Sequence, residues 1–120
     1  MKTHKDLLVW QKAIDFVTKV YQLTSEFPNH EMYGLTSQLR RAAVSIPSNI
    51  AEGAGRKSDK EFVRFLYIAR ASAVEVDTQL VISENLGYVQ SDKNKLKEEL
   101  IGITKMLTAL INKINKRINE

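Results

Sequence analysis

The 120-residue sequence contains no cysteine, which excludes disulfide bonds, thiolate nucleophiles and zinc sites built on cysteine. It contains no apolar run close to the roughly 20 residues that a membrane-spanning helix requires. Its beginning, MKTHKDLLVW, lacks the apolar core of a secretory signal. We therefore expect a cytoplasmic protein that does not enter a membrane.

Residues that break helices are scarce, with only two prolines and five glycines. Four long segments carry apolar residues at the spacing of three to four that is typical of a helix. Short connections between four such helices predict an all-α fold, an up-down-up-down antiparallel four-helix bundle. The length suits one domain that spans residues 1–120.

The first helical segment has an apolar surface wider than one neighbouring helix requires. Asp6 precedes the apolar residues and is the predicted N-cap of this helix. Two adjacent apolar ridges are present: Leu7, Trp10, Ile14, Val17 and Tyr21 in one, and Val9, Ala13, Phe16, Val20 and Leu23 in the other. Such an arc either packs between two helices of the same chain or partly meets another subunit. We expect association into a homo-oligomer.

The second helical segment contains Pro47 between two halves whose apolar patterns are in phase. Its predicted inward face consists of Leu35, Leu39, Ala42, Ala43, Ile46 and Ile50. A proline inside a helix removes a hydrogen bond, here to the Ala43 carbonyl, and costs about 3 kcal/mol. Because the pattern continues, we expect one kinked helix rather than two. Freed carbonyl groups would be met by Ser45, Ser48 or Asn49 side chains or by water.

Two further helices follow, with their own start and stop residues. Ser58 and Glu61 fit a capping box that opens the third helix, and Gly87 fits its end. Ser91 or Asp92 is the predicted cap of the fourth helix. The predicted buried residues are Phe62, Phe65, Leu66, Ala69, Ala73, Val76, Leu80 and Ser83 in the third helix, and Leu96, Leu100, Ile103, Leu107, Leu110, Ile114 and Ile118 in the fourth. The last set has the spacing of a coiled-coil seam.

Features typical of an active site are few. The segment AEGAGRKS lacks the first glycine of a phosphate-binding loop, and no predicted strand precedes it. His4 and His30 lie in different regions, and neither shares a helix face with a second histidine or a carboxylate. Glu52 is either a general acid or the partner of a structural ion pair with Arg41 or Arg56, and the ion pair is favoured. We predict no enzyme activity, no metal ion and no cofactor.

The charged residues give a formal net charge of +4, a mildly basic balance that is compatible with nucleic acid. Cations cluster on the second and third helices and on the turn between them: Arg40, Arg41, Arg56, Lys57, Lys60, Arg64 and Arg70. Arginine suits bidentate phosphate contact, so this strip is the candidate nucleic-acid-binding surface. Alternatively, these arginines form solvated or intersubunit salt bridges with carboxylates, namely Glu52, Glu61, Glu75 and Asp77.

Two further groups of polar residues lie on the second and fourth helices. A stripe on the second helix predicts a structural polar network of Gln38, Arg41, Ser45, Asn49 and Glu52. Lys113, Lys116 and Arg117 lie near the end of the fourth helix, where cations complement the helix dipole. We assign these three residues that role alone.

Three blocks of the sequence are similar to a known family: VWQKAIDFVTKVYQLTSEFP, YGLTSQLRRAAVSIPSNIAEGAGR and EFVRFLYIARASAVEVDTQL, the last followed by LGY. From Leu8 to Tyr88 the chain resembles the four-helix bundle protein family, also called the 23S ribosomal RNA intervening-sequence protein family. This resemblance implies a small four-helix bundle without established enzymatic activity, of a kind often encoded within ribosomal RNA insertions.

The resemblance also implies partners. Related bundles form pentameric rings, and a similar bundle is the accessory subunit of diversity-generating retroelements, where a basic ring meets reverse transcriptase and nucleic acid. By that analogy Arg40, Arg41, Arg56 and Arg64 are contact candidates. The leading hypothesis is a non-catalytic, homo-oligomeric adaptor that binds an RNA or DNA backbone, ribosomal RNA included. The alternative is a scaffold for protein partners that binds no nucleic acid.

Overall fold

The computed structural model of the chain describes residues 2–90 and 95–120. Four helices account for most of them: α1 at Leu8–Thr24, α2 at Leu35–Ala54, α3 at Asp59–Asn85 and α4 at Leu96–Ile118. Short 3₁₀ turns lie at His4–Asp6 and Asn29–Glu31. The described residues contain no strand, so the predicted all-α fold is confirmed. The predicted cap at Ser91 or Asp92 lies outside the described residues.

The helices pack as a bundle in which sequence neighbours are also neighbours in space. α1 packs against α2 and α4, and α3 packs against the same two helices. A salt bridge joins Glu84 to Lys97, and a hydrogen bond joins Arg70 to Thr108. The later residue of α3 contacts the earlier residue of α4, so the two helices run antiparallel. The molecule measures 50 × 24 × 19 Å. None of the described helices combines the length and the hydropathy that crossing a membrane demands.

The buried residues match the predicted inward faces of α2 and α3, all of which are in the core. On α4 the prediction was partly wrong, since Ile111 is buried whereas Leu110 and Ile118 are only half-buried. The predicted residues advance by alternating steps of four and three, and this spacing gradually departs from the 3.6-residue period of an untwisted helix. The buried face of α4 therefore moves by one residue toward its end.

The predicted N-cap of α1 was wrong. Asp6 belongs to the preceding 3₁₀ turn, where its Oδ2 accepts hydrogen bonds from the backbone N–H groups of Lys2 (2.8 Å) and Thr3 (3.2 Å). These bonds lower the pKa of Asp6, and the bond from Lys2 contributes most. Leu7 occupies the N-cap position of α1 and provides no side-chain hydrogen bond. The acceptor that sequence spacing assigned to α1 therefore stabilises the turn before it.

The ends of α3 follow the predicted residues. Ser58 Oγ accepts a hydrogen bond of 3.1 Å from the Glu61 backbone N–H, although the Glu61 carboxylate pairs with Arg64 instead. At the other end Gly87 has a φ of +78°, a conformation that suits glycine. The Tyr88 N–H donates to the Ser83 carbonyl at 2.9 Å, so the chain leaves α3 through a Schellman turn.

The closest approach between helices is at Gly53 of α2. A Cβ atom placed there would lie 2.7 Å from Phe65 Cβ on α3, so only glycine allows this packing. α2 continues through Pro47 without interruption. The Asn49 side-chain amide donates to the Ser45 carbonyl at 2.8 Å and contacts Ser45 Oγ at 2.9 Å. The bend at Pro47 stays a prediction.

Candidate nucleic-acid interface

The antiparallel topology brings three segments to one end of the bundle: the N-terminal turn, the α2–α3 turn and the end of α4. Arg117 donates to both carboxylate oxygens of Asp59, at 2.8 and 2.9 Å, and so joins α4 to the start of α3. His4 lines a cleft together with Ala51 of α2. We call residues 2–10, 52–64 and 113–120 the basic end, because they contain nine Lys and Arg against five Asp and Glu.

The opposite end of the bundle has the opposite charge. Residues 19–34, 80–90 and 95–100, which we call the acidic end, contain three lysines and five glutamates. Part of this charge is paired, since Lys19 contacts both Asp15 and Glu99. Those contacts raise the pKa of Lys19, and the hydrogen bond to Glu99 contributes most. The formal charges of these ranges therefore differ along the long axis, from +4 at one end to −2 at the other, and Arg40 adds one positive charge beside Tyr21 and Thr24 of the acidic end.

Lysines supply the unpaired charge of the basic end. Six exposed lysine side chains lie there, namely Lys2, Lys5, Lys57, Lys60, Lys113 and Lys116. Within residues 2–90 and 95–120, none of these six ammonium groups has a carboxylate partner or a hydrogen bond. They come from all three segments, so they surround the end of the bundle rather than form a single row.

The acidic residues of the basic end are mostly occupied by partners of their own. Asp6 is held by backbone N–H groups, and Asp59 binds Arg117, which lowers the pKa of Asp59. Arg64 binds both carboxylate oxygens of Glu61, at 2.8 and 3.2 Å, and likewise lowers the Glu61 pKa. These carboxylates neutralise arginines and leave the lysines unpaired.

The predicted arginine strip divides into separate groups. Arg56 forms a salt bridge of 2.7 Å with Glu52, and its guanidinium carbon lies 4.9 Å from the Phe65 ring centroid. Arg64 lies over the same ring at 4.5 Å. Two arginines and two carboxylates therefore form one exposed cluster around Phe65, at the α2–α3 turn.

Arg40 and Arg70 lie away from the basic end and on different sides of the molecule. Arg40 donates to Thr24 Oγ1 of α1 at 2.8 Å and lies 4.5 Å from the centroid of Tyr21. Arg70 contacts Thr108 of α4 at 3.3 Å and lies over Tyr67. Both guanidinium groups connect helices of the bundle, so they are poorly placed for a shared ligand.

Of the seven predicted contact residues, three retain unpaired charged groups: Arg41, Lys57 and Lys60. The fold brings Arg56, Lys57, Lys60 and Arg64 together, but it leaves Arg40, Arg41 and Arg70 apart from them. Sequence reasoning missed four of the six unpaired lysines: Lys2, Lys5, Lys113 and Lys116. The predicted up-down topology was itself a usable signal, because it places both chain termini beside the α2–α3 turn.

The predicted polar network is smaller than expected. Ser45 Oγ and Ser72 Oγ share a hydrogen bond of 2.8 Å between α2 and α3, and Asn49 joins Ser45 from its own helix. Gln38 and Arg41 are exposed and form no hydrogen bond with this group within the described residues. Glu52 pairs with Arg56 and its side chain is 56% exposed, so it lies in no enclosed pocket of the kind that a general acid requires.

A cleft runs along the surface between α1 and α2, and it is mostly apolar at one end and lined by Arg40 and Arg41 at the other. Two adjoining hollows of about 340 and 360 Å³ share Val44 of α2. Trp10, Ile14 and Pro47 line the first hollow, and Tyr21 lines the second. These α1 residues belong to the first of the two ridges that the sequence predicted, whereas the second ridge fills the core.

A second exposed apolar surface lies on α3 and α4. Tyr67, Val74 and Val81 follow one another at seven-residue intervals on α3, and Val74 is 61% exposed. The antiparallel register of α3 and α4 places the exposed Ile101 beside the stretch between Val74 and Val81. We call these four residues the α3–α4 ridge. The part of the chain that the structure describes contains no group of three His, Asp or Glu side chains able to hold a metal.

Comparisons with known proteins agree with this fold. The chain is similar to the crystal structure of a protein of unknown function from the S23 ribosomal protein family of Bacteroides thetaiotaomicron VPI-5482. The TM-score is 0.81 at 23% identity, over 88% of this chain and 96% of that one. No curated protein matches this chain. The family model for the 23S rRNA-intervening sequence protein matches residues 5–109. Since this match covers most of the sequence, the chain belongs to the 23S rRNA-intervening sequence protein family.

Proposed function

We propose that this chain is a non-catalytic cytoplasmic adaptor that binds the phosphate backbone of nucleic acid through the basic end of the bundle. The observation that carries the proposal is the group of six lysines without counter-ions at that end. Lysines that neutralise phosphates release condensed counter-ions, which gives affinity without sequence recognition. The family's connection with ribosomal RNA makes structured RNA the first ligand to test.

The polarity of the bundle supports this location. The acidic end repels phosphates, so long-range electrostatics would orient the molecule with its basic end toward the nucleic acid. The exposed salt bridges of Arg56 and Arg64 are of a kind that contributes little to stability. Phosphate groups could therefore compete for these two arginines at a small free-energy cost.

The proposal includes self-association, which would multiply the basic ends presented to one ligand. The Trp10 end of the α1–α2 cleft and the α3–α4 ridge are both mostly apolar, and they lie on different helix pairs of the same molecule. A ridge of one copy seated in the cleft of the next would form a head-to-tail contact that closes into a ring. The resemblance to ring-forming bundles suggests five subunits.

Binding is tested by fluorescence anisotropy with labelled structured RNA and labelled duplex DNA at low salt. The K57A/K60A variant removes two unpaired lysines from the basic end. The matched control is K12A/K105A, which removes two exposed lysines that lie outside the basic end. We expect the first variant to bind about tenfold more weakly than the control, because both have the same net charge and differ only in where charge was lost.

Equal affinities of the two variants would show that only the net charge matters and would refute the assignment to the basic end. Absence of binding by the unmodified protein would refute nucleic-acid binding as a whole. The scaffold for protein partners would then be the better account. One observation favours it, because the carboxylates of this chain already neutralise Arg56 and Arg64.

Assembly has a separate test by light scattering after gel filtration. Val44→Asp places a charge in the α1–α2 cleft, and Val74→Asp places one on the α3–α4 ridge. Every head-to-tail contact joins the cleft of one copy to the ridge of the next. We therefore expect either variant alone to lower the oligomer mass, because each one disrupts one of these two surfaces in every copy. Gln38→Asp changes an exposed α2 residue outside both surfaces and should leave the mass unchanged. An unmodified protein that is monomeric would refute the assembly.

A further inference from the structure

The described residues of the basic end combine unpaired lysines with aromatic rings that already contact other side chains. This combination bears on the kind of nucleic acid that the basic end fits. Proteins that hold single strands usually stack the bases on aromatic rings within a basic groove. In a duplex the bases are already stacked and the phosphates face outward. We infer that the basic end binds the phosphate backbone of a double helix in preference to a single strand. This inference rests on the proposed function.

The aromatic rings near the basic end are in contact with side chains of the same protein. Arg56 and Arg64 both lie over Phe65, at 4.9 and 4.5 Å from its centroid. His4 meets Trp10 in an edge-to-face contact with 5.1 Å between centroids, and Phe62 is 8% exposed. A nucleic-acid base could stack on Phe65 only after displacing an arginine, and Trp10 lines the α1–α2 cleft, the surface that the proposed assembly covers.

The exposed tyrosines farther along the bundle offer no better surface. Arg40 lies over Tyr21, and Arg70 lies over Tyr67. Tyr33 is 96% exposed, but it belongs to the acidic end, where the net negative charge opposes the approach of phosphates. Within the described residues and outside the α1–α2 cleft, exposed aromatic rings and unpaired positive charge therefore do not coincide.

The geometry of the cations points to the same ligand. The six lysines surround an end that measures about 24 by 19 Å in cross-section, and they come from three separate segments of the chain. A duplex carries one charge per roughly 1.7 Å of its axis, against roughly 3.4 Å along one strand. Separated lysines therefore reach more phosphates on a duplex. An ammonium group is a point charge without the planar fork of arginine, so the contact should be independent of sequence.

The test compares labelled duplexes with their own separated strands, chosen without self-complementarity, in one anisotropy experiment at constant low salt. RNA and DNA are tested in parallel, and mixed sequences are used so that one base composition does not dominate. We expect each duplex to bind about tenfold more tightly than its strands. The K57A/K60A variant should lose part of this difference, because it removes two of the six lysines, whereas K12A/K105A should retain all of it.

The outcomes separate this inference from the proposed function. Strands that bind as tightly as the duplexes, or more tightly, overturn the duplex preference and leave backbone binding at the basic end intact. Absence of binding to every duplex and every strand overturns the proposed function. A duplex preference that is undiminished in K57A/K60A also overturns the inference, because two of the six lysines that should carry the preference would then contribute nothing to it.

Discussion

Arg117 near the end of α4 and Asp59 at the start of α3 form a two-point salt bridge, with nitrogen–oxygen distances of 2.8 and 2.9 Å. The bridge joins residues that are 58 positions apart in the sequence. It holds Lys113 and Lys116 beside the turn that carries Lys57 and Lys60. Two residues that supply no unpaired charge thus form a contact across the basic end.

Replacing Asp59 tests this contact. Asp59→Asn should increase hydrogen exchange in the last turns of α4 and slightly lower the thermal midpoint at neutral pH. The contact with Arg117 lowers the pKa of Asp59 in the folded protein, so its stabilisation is complete at neutral pH. It is lost as the pH falls below about 4 and the carboxylate becomes protonated. The two proteins should therefore converge in stability in acid.

The control for that measurement is Asp77→Asn, which changes an exposed aspartate without an ion pair in the described part of the chain. If Asp77→Asn increased exchange in α4 as much as Asp59→Asn, the salt bridge would not be the cause.

Gly53 and Gly102 should respond to alanine with opposite signs. A Cβ at Gly53 would lie 2.7 Å from Phe65 Cβ and 3.1 Å from the Phe62 carbonyl oxygen. We expect Gly53→Ala to lower the free energy of unfolding by about 1–3 kcal/mol through overpacking. A Cβ added at Gly102, within α4, would meet no described atom within 4 Å beyond the backbone of its own helix. Alanine at this position should therefore raise the free energy of unfolding by about 0.5–1 kcal/mol. Urea denaturation of both variants checks the pair, and a stabilised Gly53→Ala would contradict the tight α2–α3 contact.

Tyr88 and Glu31 connect the two loops at the acidic end. Glu31 accepts hydrogen bonds from the Leu35 backbone N–H at 3.1 Å and from the Tyr88 hydroxyl at 2.9 Å. Both bonds lower the pKa of Glu31, and the bond from Leu35 contributes most. Tyr88→Phe should therefore raise the Glu31 pKa partway toward its ordinary value.

Because a lowered carboxylate pKa stabilises the fold above the ordinary pKa and not below it, Tyr88→Phe should also unfold at a higher pH during acid titration. An NMR titration of the Glu31 carboxyl carbon measures the first effect directly. Tyr33→Phe, which removes the hydroxyl of a tyrosine that is 96% exposed, is the matched control. An unchanged Glu31 titration in Tyr88→Phe would show that the hydroxyl bond is absent in solution.

Pro47 lines the α1–α2 cleft and lacks the backbone N–H that would bond to the Ala43 carbonyl within α2. Pro47→Ala should restore a backbone donor to the Ala43 carbonyl and straighten the helix. We expect weaker self-association as a result, measured by light scattering. Ser48→Ala, in the same cleft, is the control. An unchanged oligomer in Pro47→Ala would show that the bend does not determine assembly.

Much of the fold follows from sequence periodicity because burial in a helical bundle is a local pattern. Ile46 and Leu66 were identified as buried from their spacing alone, and both are fully enclosed. The predictions were wrong where one residue can take part in two different local structures. Asp6 could serve either α1 or the preceding turn, and the sequence does not reveal that its carboxylate is already bonded within the turn.

The candidate site was harder to predict, because pairing between charges depends on contacts that are distant in sequence. Arg70 and Lys60 look equivalent as basic residues on α3, yet Arg70 contacts Thr108 and Tyr67 whereas Lys60 is unpaired. Clustering along the sequence therefore favoured arginines that the fold uses to join helices. The lysines at the chain termini become part of the same surface only once the bundle has formed.

The central claim is that nucleic-acid backbone binding resides at the basic end, and a salt series tests it most directly. The logarithm of the association constant for a duplex should fall linearly with the logarithm of salt concentration, by about 0.9 for each phosphate neutralised. For K57A/K60A the account predicts a slope shallower by about two, and for K12A/K105A the slope of the unmodified protein. A slope that is the same in all three proteins would contradict the account.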